Sequence, residues 1–350
     1  MWIYIYNLIL IIVLGLLFLA LLKGKLTKKM YFVIITCLLS ILSGMRGYDV
    51  GWDTRNYVFL FSRIQGIPFN NILLGDFGIE KGYVILEYII SIFTTNPTIL
   101  FVIISFFYMI SVGKFIYKNS EEPVMSYILF IALGFFTFSM TALRQTVAIG
   151  IILFSYEFIR NRKFMPYLLT VLLASTFHYS ALVFLPAYFI AYKKFTKPYI
   201  FFTVLTIPTV YIFRDIAFGI VNRISGYEYS TIETQGPITL LLLMIMVFIG
   251  GIIQIKQVLR KDEGNIFFYN MTFISIILAI MAFIHPVALR AGYYYFIFSI
   301  VFIPKIVLSF SNKFLKTIVY CIAIIVLISL YIKGLNSTSP FVPYQFIGIE

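Results

Sequence analysis

Long apolar runs recur along the whole of this 350-residue chain. Hydrophobic residues account for 61% of it and charged residues for only 12%, and the mean hydropathy is +0.98. A soluble protein of this size has too little interior to bury so much apolar surface, so the sequence predicts an all-α, polytopic integral membrane protein. The runs predict helices at about 2–22, 30–45, 97–116, 123–141, 143–159, 198–213, 237–255, 266–284, 290–310 and 315–333.

Two further segments fit this pattern less simply. Residues 83–95 are too short to span a bilayer comfortably and carry Glu87, which predicts an amphipathic or re-entrant helix on the outer side. Residues 164–192 lie between the basic clusters RNRK and KK and predict a tilted helical hairpin that turns near Phe177-His178-Tyr179. With these segments we expect about 11 to 13 transmembrane or re-entrant helices.

The basic residues predict how the chain lies in the membrane, because loops rich in Lys and Arg stay on the cytoplasmic side. The first apolar run lacks a preceding basic region and a small-residue cleavage site, so we expect a retained first helix with the N-terminus outside. The same rule predicts an outer C-terminus. A single transmembrane domain over residues 1–350 would then carry a large outer loop at 46–82, a second at 214–236 and an outer tail at 334–350.

The net charge of +13 invites a nucleic-acid partner, but the location of the charges argues against one. In the predicted topology 18 of the 27 basic residues lie inside, where Lys outnumbers Arg fifteen to three. Outside, Arg outnumbers Lys seven to two. Lys is adequate for orientation, whereas Arg carries a planar fork of donors suited to phosphate oxygens. The charge therefore indicates mainly membrane orientation, and we expect any chemistry at the outer face.

The first outer loop concentrates charge. Arg46, Asp49, Asp53 and Arg55 fall within ten positions directly after an apolar run, and Glu80 lies near the far end of the same loop. Arg46 ends a predicted span, where a cation is costly unless it is paired or binds an anion, and this favours a functional role. For the aspartates, local ion pairs that dock the loop are the alternative to a role in a site.

Other outer helix ends carry further candidates. Arg144 begins an apolar helix, where it and the free backbone N–H groups would form an anion cradle; snorkelling to lipid headgroups is the alternative. His178 lies at the predicted hairpin tip, where packing among aromatic residues is the alternative to catalysis. His285 and Arg290 form a second outer pair. The following Tyr293-Tyr294-Tyr295 run is either an interfacial aromatic belt or a set of sugar-stacking rings.

The sequence lacks the motifs of several kinds of site. Both cysteines, Cys37 and Cys321, lie inside apolar runs and indicate neither a disulfide framework nor a Cys-based metal site. No Walker-type phosphate loop, dinucleotide fingerprint or HExxH motif is present, and two histidines with scattered carboxylates do not suggest a metal centre. We therefore expect no metal and no cofactor, and a substrate that is already activated in the membrane.

The polar motifs together resemble the EpsG-like group of oligosaccharide repeat-unit polymerases, the Wzy type that builds O-antigens, capsules and exopolysaccharides. The matching stretches are RGYDVGWDTRNY at 46–57, EKGY at 80–83, LRQTVAIGI at 143–151, ASTFHYSAL at 174–182, RAGYYY at 290–295 and PYQF at 343–346. They occur in the family's order and span nearly the full chain, whereas the segments between them carry no recognisable similarity.

The resemblance implies a glycosyltransferase that joins undecaprenyl-pyrophosphate-linked repeat units at the outer face of the bacterial cytoplasmic membrane. Such a transfer needs cations where charge develops on the pyrophosphate and a base for the acceptor hydroxyl. His178 is the first candidate for the base, with Asp49 and Glu80 as rivals, while Asp53 would position an arginine or sugar hydroxyls. The residues predicted to contact substrate are Arg46, Arg55, Arg144, Arg290, Glu80 and Tyr294.

Other activities stay open at this point. The partners expected of a polymerase are the bilayer, lipid-linked oligosaccharides and, from the same pathway, a chain-length regulator and a flippase. A glycosyltransferase with a polyprenyl-phosphate sugar donor would use Asp49 and Asp53. The number of outer arginines favours a pyrophosphate-linked donor over this monophosphate-linked donor only modestly. A lipid-linked-oligosaccharide flippase would line a path through the bilayer with charges, whereas here they concentrate at one face. An acyltransferase would rest on His178 alone.

Overall fold

The computed structural model describes residues 2–225, 237–335 and 339–348. Regular secondary structure in these residues is helical, with one isolated β-bridge and no β-strand. The predicted all-α class is therefore confirmed. The chain forms two compact units, each described separately below.

The first unit comprises Met1–Phe158, Met165–Leu182 and Thr317–Glu350. Its first helix, α1, is continued by a π-helix at Leu16–Leu21. The helices of this unit are α1 (Trp2–Gly15), α2 (Lys25–Gly44), α3 (Thr54–Ile64), α4 (Phe69–Leu74), α5 (Lys81–Ser91), α6 (Pro97–Asn119), α7 (Pro123–Ala132), α8 (Phe135–Phe138), most of α9 (Leu143–Arg160), α10 (Phe164–Phe177) and most of the last helix, Lys313–Gly334.

The second unit comprises Ile159–Phe164 and Val183–Lys316. Its helices are α11 (Ala187–Ile190), α12 (Lys197–Ile212), α13 (Arg214–Ser225), α14 (Ile238–Ile253), α15 (Ile255–Lys261), α16 (Ile266–Met281), α17 (Pro286–Phe296) and α18 (Ser299–Leu308), and the last helix is α19. Short 3₁₀-helices lie at Tyr179–Phe184, which begins in the first unit, and at Glu263–Asn265.

Several of these helices are long and apolar enough to cross a membrane. Within the described ranges, five helical segments qualify by length and hydropathy: Trp2–Leu21, Lys25–Gly44, Pro97–Asn119, Glu263–Met281 and Lys313–Gly334. Three bent pairs, α12 with α13, α14 with α15 and α17 with α18, raise the number to eight if each pair is one span. Three shorter apolar helices, at Pro123–Ala132, Phe164–Phe177 and Tyr179–Ile190, bring the total to 11 only if each is counted, so the predicted range of about 11 to 13 transmembrane or re-entrant helices stays a prediction. The orientation of the termini stays a prediction.

Helices α2 and α6 pack closely against each other and run antiparallel. A Cβ at Gly44, near the end of α2, would lie 2.8 Å from the Cα of Val102 near the start of α6. At the opposite end, a Cβ at Gly113 would lie 2.7 Å from Oγ1 of Thr36. The two glycines therefore allow backbone approach that a side chain would prevent, as small residues do between membrane helices.

The predicted bounds differ from the observed helices in several places, of which four bear on the loops and breaks. The run at 123–141 breaks at Gly134, whose φ of +84° lies in the left-handed region. The outer loop at 46–82 contains two helices, α3 and α4. The run at 290–310 begins earlier, at Pro286, and bends by 55° between α17 and α18. The loop predicted at 214–236 begins with α13, and its residues 226–236 lie outside the described residues.

Two unusual predictions of the sequence agree with the structure. The segment predicted at 83–95 is a helix of 11 residues, α5, which is too short to span a bilayer. Helix α10 ends at Phe177 and the next 3₁₀-helix begins at Tyr179, so the predicted break falls at His178.

The end of the chain folds back onto the segment that follows α2. We call residues 339–348 the C-terminal strap. Three backbone hydrogen bonds hold it: Ile347 N–H to Met45 O (2.9 Å), Gly47 N–H to Gln345 O (2.7 Å) and Gly51 N–H to Pro340 O (2.9 Å). Of the expected outer tail at 334–350, residues 339–348 therefore have a defined place in the first unit.

Candidate active site

Glu80 lies at the centre of a polar cluster in the first unit. It directly precedes α5, whose first turn contains Gly82. A Cβ at Gly82 would lie 2.4 Å from Oγ1 and 2.7 Å from the backbone O of Thr176 in α10. Glycine in the EKGY motif therefore lets the start of α5 touch the end of α10, and this contact brings Glu80 to the residue that follows α10, His178.

The carboxylate of Glu80 binds His178 directly. Nδ1 of His178 lies 2.8 Å from Oε1 of Glu80, and the backbone N–H of Tyr179 donates to the same oxygen at 3.0 Å. An ionised carboxylate only accepts hydrogen bonds, so Nδ1 must carry the proton. The neutral imidazole then presents its lone pair on Nε2, the tautomer that a general base requires.

Arg144 completes the cluster from the first turn of α9. Its guanidinium forms an ion pair with Oε2 of Glu80 and a hydrogen bond with Tyr57. The side chain of Glu80 is only 5% exposed, whereas those of Arg144 and His178 are 28% and 24% exposed. Of this trio of Glu80, Arg144 and His178, the histidine and the arginine are therefore the two partly exposed side chains. The carboxylate orients them from beneath.

The surroundings keep Glu80 ionised. Burial acts to raise its pKa, but the hydrogen bond with His178, the charge of Arg144 and the N–H of Tyr179 outweigh burial and lower the pKa to about 2. The trio thus contains a fixed negative charge between two groups that it holds in place.

The low pKa of Glu80 predicts a particular acid sensitivity. Its folded-state pKa of about 2 lies below the ordinary value of 4.5, so the stabilisation is complete above pH 4.5 and is lost as the pH falls towards 2. We expect the thermal stability of the detergent-solubilised protein to decline between pH 4.5 and pH 2 more steeply than that of a Glu80→Gln variant. Above pH 5 the difference between the two proteins should be constant. Parallel curves over the acid range would contradict this assignment.

A second carboxyl on α5 behaves in the opposite way. Glu87 is fully buried, and burial raises its pKa to about 8, although the Tyr83 hydroxyl and the charge of Arg144 act to lower it. Two carboxyls two helical turns apart therefore differ in protonation at neutral pH, with Glu80 ionised and Glu87 protonated. Such divergence is typical of sites that handle protons.

The aspartates of the first loop are placed differently from the trio. Asp49 forms an ion pair with Arg55, and their side chains are 60% and 76% exposed. An exposed pair of this kind contributes little, about 0–1 kcal/mol, to stability. Asp53 directly precedes α3 and lies near Tyr57, whose pKa its charge acts to raise. Asp49 and Arg55 thus form the ion pair that the sequence analysis gave as an alternative. Asp53 instead lies near Tyr57, which is hydrogen-bonded to Arg144.

Arg46 is entirely buried beside the C-terminal strap, with its backbone paired to Phe346 in the isolated β-bridge. Its Nη1 donates to the backbone O of Ser43 at 2.5 Å, and the guanidinium lies 4.7 Å from the ring centroid of Phe101. Nε and Nη2 have no hydrogen-bond partner. Burial lowers its pKa to about 10, with the opposing influence of Tyr344 and other tyrosines, so the group is still charged at pH 7. A buried cation without an anion is costly, and such a site favours an anionic ligand.

Three further candidates lie in the second unit. Arg290 and Tyr294 are on α17, where Arg290 is exposed and Tyr294 is fully buried. His285 precedes α17 and accepts a hydrogen bond from the N–H of Val287 at 3.2 Å, so it serves as the helix N-cap. The sequence contains a signal for this cap, because a polar residue stands directly before Pro286 at the start of the helix. Contact of Arg290 and Tyr294 with substrate stays a prediction.

Comparison with known proteins identifies the family. The model of the EpsG family matches residues 29–346. This chain belongs to the EpsG family. The match includes the trio and most of the strap, and it bears out the resemblance drawn from the motifs.

One curated relative of this EpsG-family protein was found. The amylovoran biosynthesis protein AmsC of Erwinia amylovora is 23% identical over 243 residues, which are 62% of this chain and 61% of that protein. The chain therefore matches less than two thirds of the length of this relative. No solved structure matches the chain.

Within the first unit, tertiary structure brings several of the motifs that resemble EpsG-like polymerases into contact. The stretches EKGY, LRQTVAIGI and ASTFHYSAL contribute Glu80, Arg144 and His178, which are up to 98 positions apart in sequence. PYQF belongs to the strap, which pairs with the start of RGYDVGWDTRNY. Sequence reasoning missed the contact of Tyr57 with Arg144 and the close approach at Gly82. The close approach was signalled by a glycine in the first turn of a helix. Nothing in the sequence pattern indicated the contact between Tyr57 and Arg144.

Proposed function

We propose that this EpsG-family protein is a repeat-unit polysaccharide polymerase of the Wzy type. It would transfer an undecaprenyl-pyrophosphate-linked oligosaccharide chain onto another lipid-linked repeat unit at the outer face of the bacterial cytoplasmic membrane, with residues 1–350 acting as one domain. The observation that carries the proposal is the trio, in which a buried ionised carboxylate orients a histidine and an arginine that both reach solvent. Family membership and the name of the AmsC relative support polysaccharide synthesis.

In this proposal His178 is the general base. Glu80 holds the proton on Nδ1, so Nε2 accepts the proton of the acceptor hydroxyl as that oxygen attacks. The alternative base Asp49 is engaged by Arg55, which favours His178. Glu80 itself has a pKa of about 2, too low for an effective base near neutral pH, so its role is to position His178.

The proposed step is a simple displacement at the anomeric carbon of the growing chain. The acceptor oxygen forms a bond to that carbon while the bond from the carbon to the pyrophosphate oxygen breaks. The hydroxyl proton moves to Nε2 of His178, and the electron pair of the broken bond leaves with the lipid pyrophosphate. Because pyrophosphate departs as a stable anion, the step requires cations at the leaving group rather than an acid.

Arginines are the cations available for that charge. Arg144 reaches solvent beside His178, and its guanidinium suits phosphate oxygens in a bidentate geometry. Arg46 has two unpaired N–H-bearing nitrogens for the same purpose once the strap uncovers it. Arg55 and Arg290 are the further arginines assigned to substrate, and Tyr294 is assigned to the sugar.

No cofactor enters the proposed step. The proposed partners of the protein are the bilayer, its two lipid-linked substrates, and a flippase and a chain-length regulator of the same pathway.

The experiment that tests the proposal is a polysaccharide gel from a strain deleted for this gene, with lipid-linked intermediates analysed in parallel. Loss of the polymer ladder, with single repeat units still exported on the carrier, is the expected result. Accumulation of incomplete repeat units would instead indicate a glycosyltransferase that uses a polyprenyl-phosphate sugar. Complete units trapped on the inner leaflet would indicate a flippase.

The two histidines provide a matched pair for testing the base. His178→Asn should reduce polymer formation in the complemented strain by about 10²- to 10⁴-fold, the usual contribution of a positioned base. His285→Asn is the control, because Asn is a good N-cap and keeps the start of α17 intact. Both variants should reach the membrane in wild-type amounts. Wild-type ladders from His178→Asn would remove this residue from the site.

A further inference from the structure

A groove runs between α2 and α6 in the first unit, at the end opposite to the trio. Its volume is about 660 Å³. Its walls are mainly apolar surface, to which Phe32 and Val33 of α2 and Phe106 and Ile110 of α6 contribute. The groove therefore offers an apolar surface along two helices that qualify as membrane spans.

The length of the groove corresponds to one leaflet of a bilayer. On α2 its lining residues extend from Lys25 to Cys37, which is about 18 Å at 1.5 Å per residue. Half of a hydrocarbon core of about 30 Å is about 15 Å. A single acyl chain that enters from the headgroup level fits this length.

The two walls supply positive charge. Lys25 and Lys29 lie in the first two turns of α2, and Lys114 lies in the second half of α6. Because the two helices are antiparallel, all three lysines line the same groove. Two neighbouring lysines, Lys28 and Lys118, do not line the groove. Lys118 pairs with Glu157, whereas Lys28 and Lys114 each lie 5.2 Å from a ring centroid, that of Tyr117 and that of Phe154.

We infer that this groove binds an anionic phospholipid, with one acyl chain along the apolar walls and the phosphate among Lys25, Lys29 and Lys114. The charge complementarity follows the general attraction of basic residues near the bilayer surface to anionic headgroups. Lys29 and Gly44 are 15 residues apart on α2, about 22 Å along its axis. The phosphate would therefore lie far from the segment at Arg46, so this lipid is distinct from a substrate whose pyrophosphate reacts there.

The test uses the purified full-length protein, delipidated in detergent and titrated with phosphatidylglycerol or phosphatidylcholine. Bound lipid is counted by native mass spectrometry. We expect tighter retention of phosphatidylglycerol by the wild type. The double variant Lys25→Gln/Lys29→Gln should weaken phosphatidylglycerol binding by about 25-fold, since each cation near an anionic surface contributes about fivefold. Lys28→Gln/Lys118→Gln removes the same charge at the same end of the unit and should leave binding within about twofold.

A second variant tests the apolar part of the groove without altering charge. Val33 is 52% exposed, so Val33→Trp is expected to fold and to fill the space of the acyl chain. It should lower retention of both lipids, whereas the lysine variants should affect only phosphatidylglycerol.

Three results would overturn the inference. The first is equal binding of the two lipids by the wild type. The second is an equal loss in the two double-lysine variants, which would indicate general surface charge. The third is displacement of bound phosphatidylglycerol by one equivalent of a polyprenyl phosphate, which would make the carrier lipid the occupant. None of these measurements depends on polymer synthesis, so they are independent of the proposed activity.

Discussion

Replacement of Glu80 by glutamine should reduce polymer synthesis by about 10²- to 10⁴-fold. Glutamine keeps the shape of the side chain but removes the charge that fixes the proton on Nδ1 of His178 and balances Arg144. The imidazole then loses its preferred tautomer, and the arginine loses its partner. The measurement is the polysaccharide ladder of the complemented deletion strain, normalised to the amount of protein in the membrane.

Two variants distinguish lost orientation from lost stability. Asp76→Asn removes a carboxylate from an exposed turn of the same segment, where Asn still accepts the hydrogen bond from the N–H of Gly78, and should leave the ladder unchanged. Glu80→Gln combined with Arg144→Gln removes the uncompensated cation and restores neutral packing. This double variant should regain the thermal stability lost in Glu80→Gln and stay inactive, because it lacks both the orienting carboxylate and the cation proposed for the leaving group. Recovery of polymer in it would show that an unpaired arginine, rather than lost orientation of His178, caused the defect.

A disulfide that locks the C-terminal strap should abolish polymer formation reversibly. Arg46 is fully buried, and its backbone pairs with Phe346 of the strap. We therefore expect a lipid pyrophosphate to reach its guanidinium only if the strap moves. A Cβ at position 47 would lie 3.4 Å from the Cβ of Gln345, close to the separation of about 3.8 Å in disulfides. Gly47→Cys with Gln345→Cys, in a chain with Cys37 and Cys321 replaced by alanine, is therefore expected to cross-link without displacing the backbone.

In membrane vesicles supplied with lipid-linked repeat units, the oxidised protein should lose at least about 90% of its activity, and reduction should restore the activity. The reason is that Arg46 must be accessible to bind the pyrophosphate. Each single cysteine variant serves as a control and should be active under both conditions. Full activity of the cross-linked protein would mean that the strap is a permanent part of the fold and that Arg46 does not contact substrate.

Much of the fold follows from local patterns. The apolar runs predicted α2, α6, α16 and α19 to within a few residues, apart from the earlier start of α2 at Lys25, because hydropathy and length decide whether a helix is compatible with a bilayer. The breaks were less predictable. Gly134 interrupts a run that is apolar on both sides, and α17 and α18 bend within a continuous apolar stretch, since hydropathy carries no information about backbone dihedral angles.

The residues of the candidate site were predictable from the sequence, but the contacts between them were not. Arg144 and His178 stood out as polar groups at the ends of predicted helices, where charge needs a partner or a function, and Glu80 stood out as a carboxylate of the charged first outer loop. Their grouping depends on the approach of α5 to α10 at Gly82, which is a matter of backbone distance. The sequence left an ion pair open as the alternative for Asp49, and only the structure shows that it forms with Arg55 and that both side chains are exposed.

The sequence by itself determined the membrane class of this protein, the helix positions and the residue types at the site, since these depend on hydropathy and on the cost of a charge near lipid. Only the tertiary structure decided that the carboxylate binds the histidine, and that the C-terminal strap pairs with the segment that carries a buried Arg46. Both results arise from contacts between residues far apart in sequence, 98 positions for Glu80 and His178. Such contacts depend on how the helices pack against one another, which no local pattern encodes.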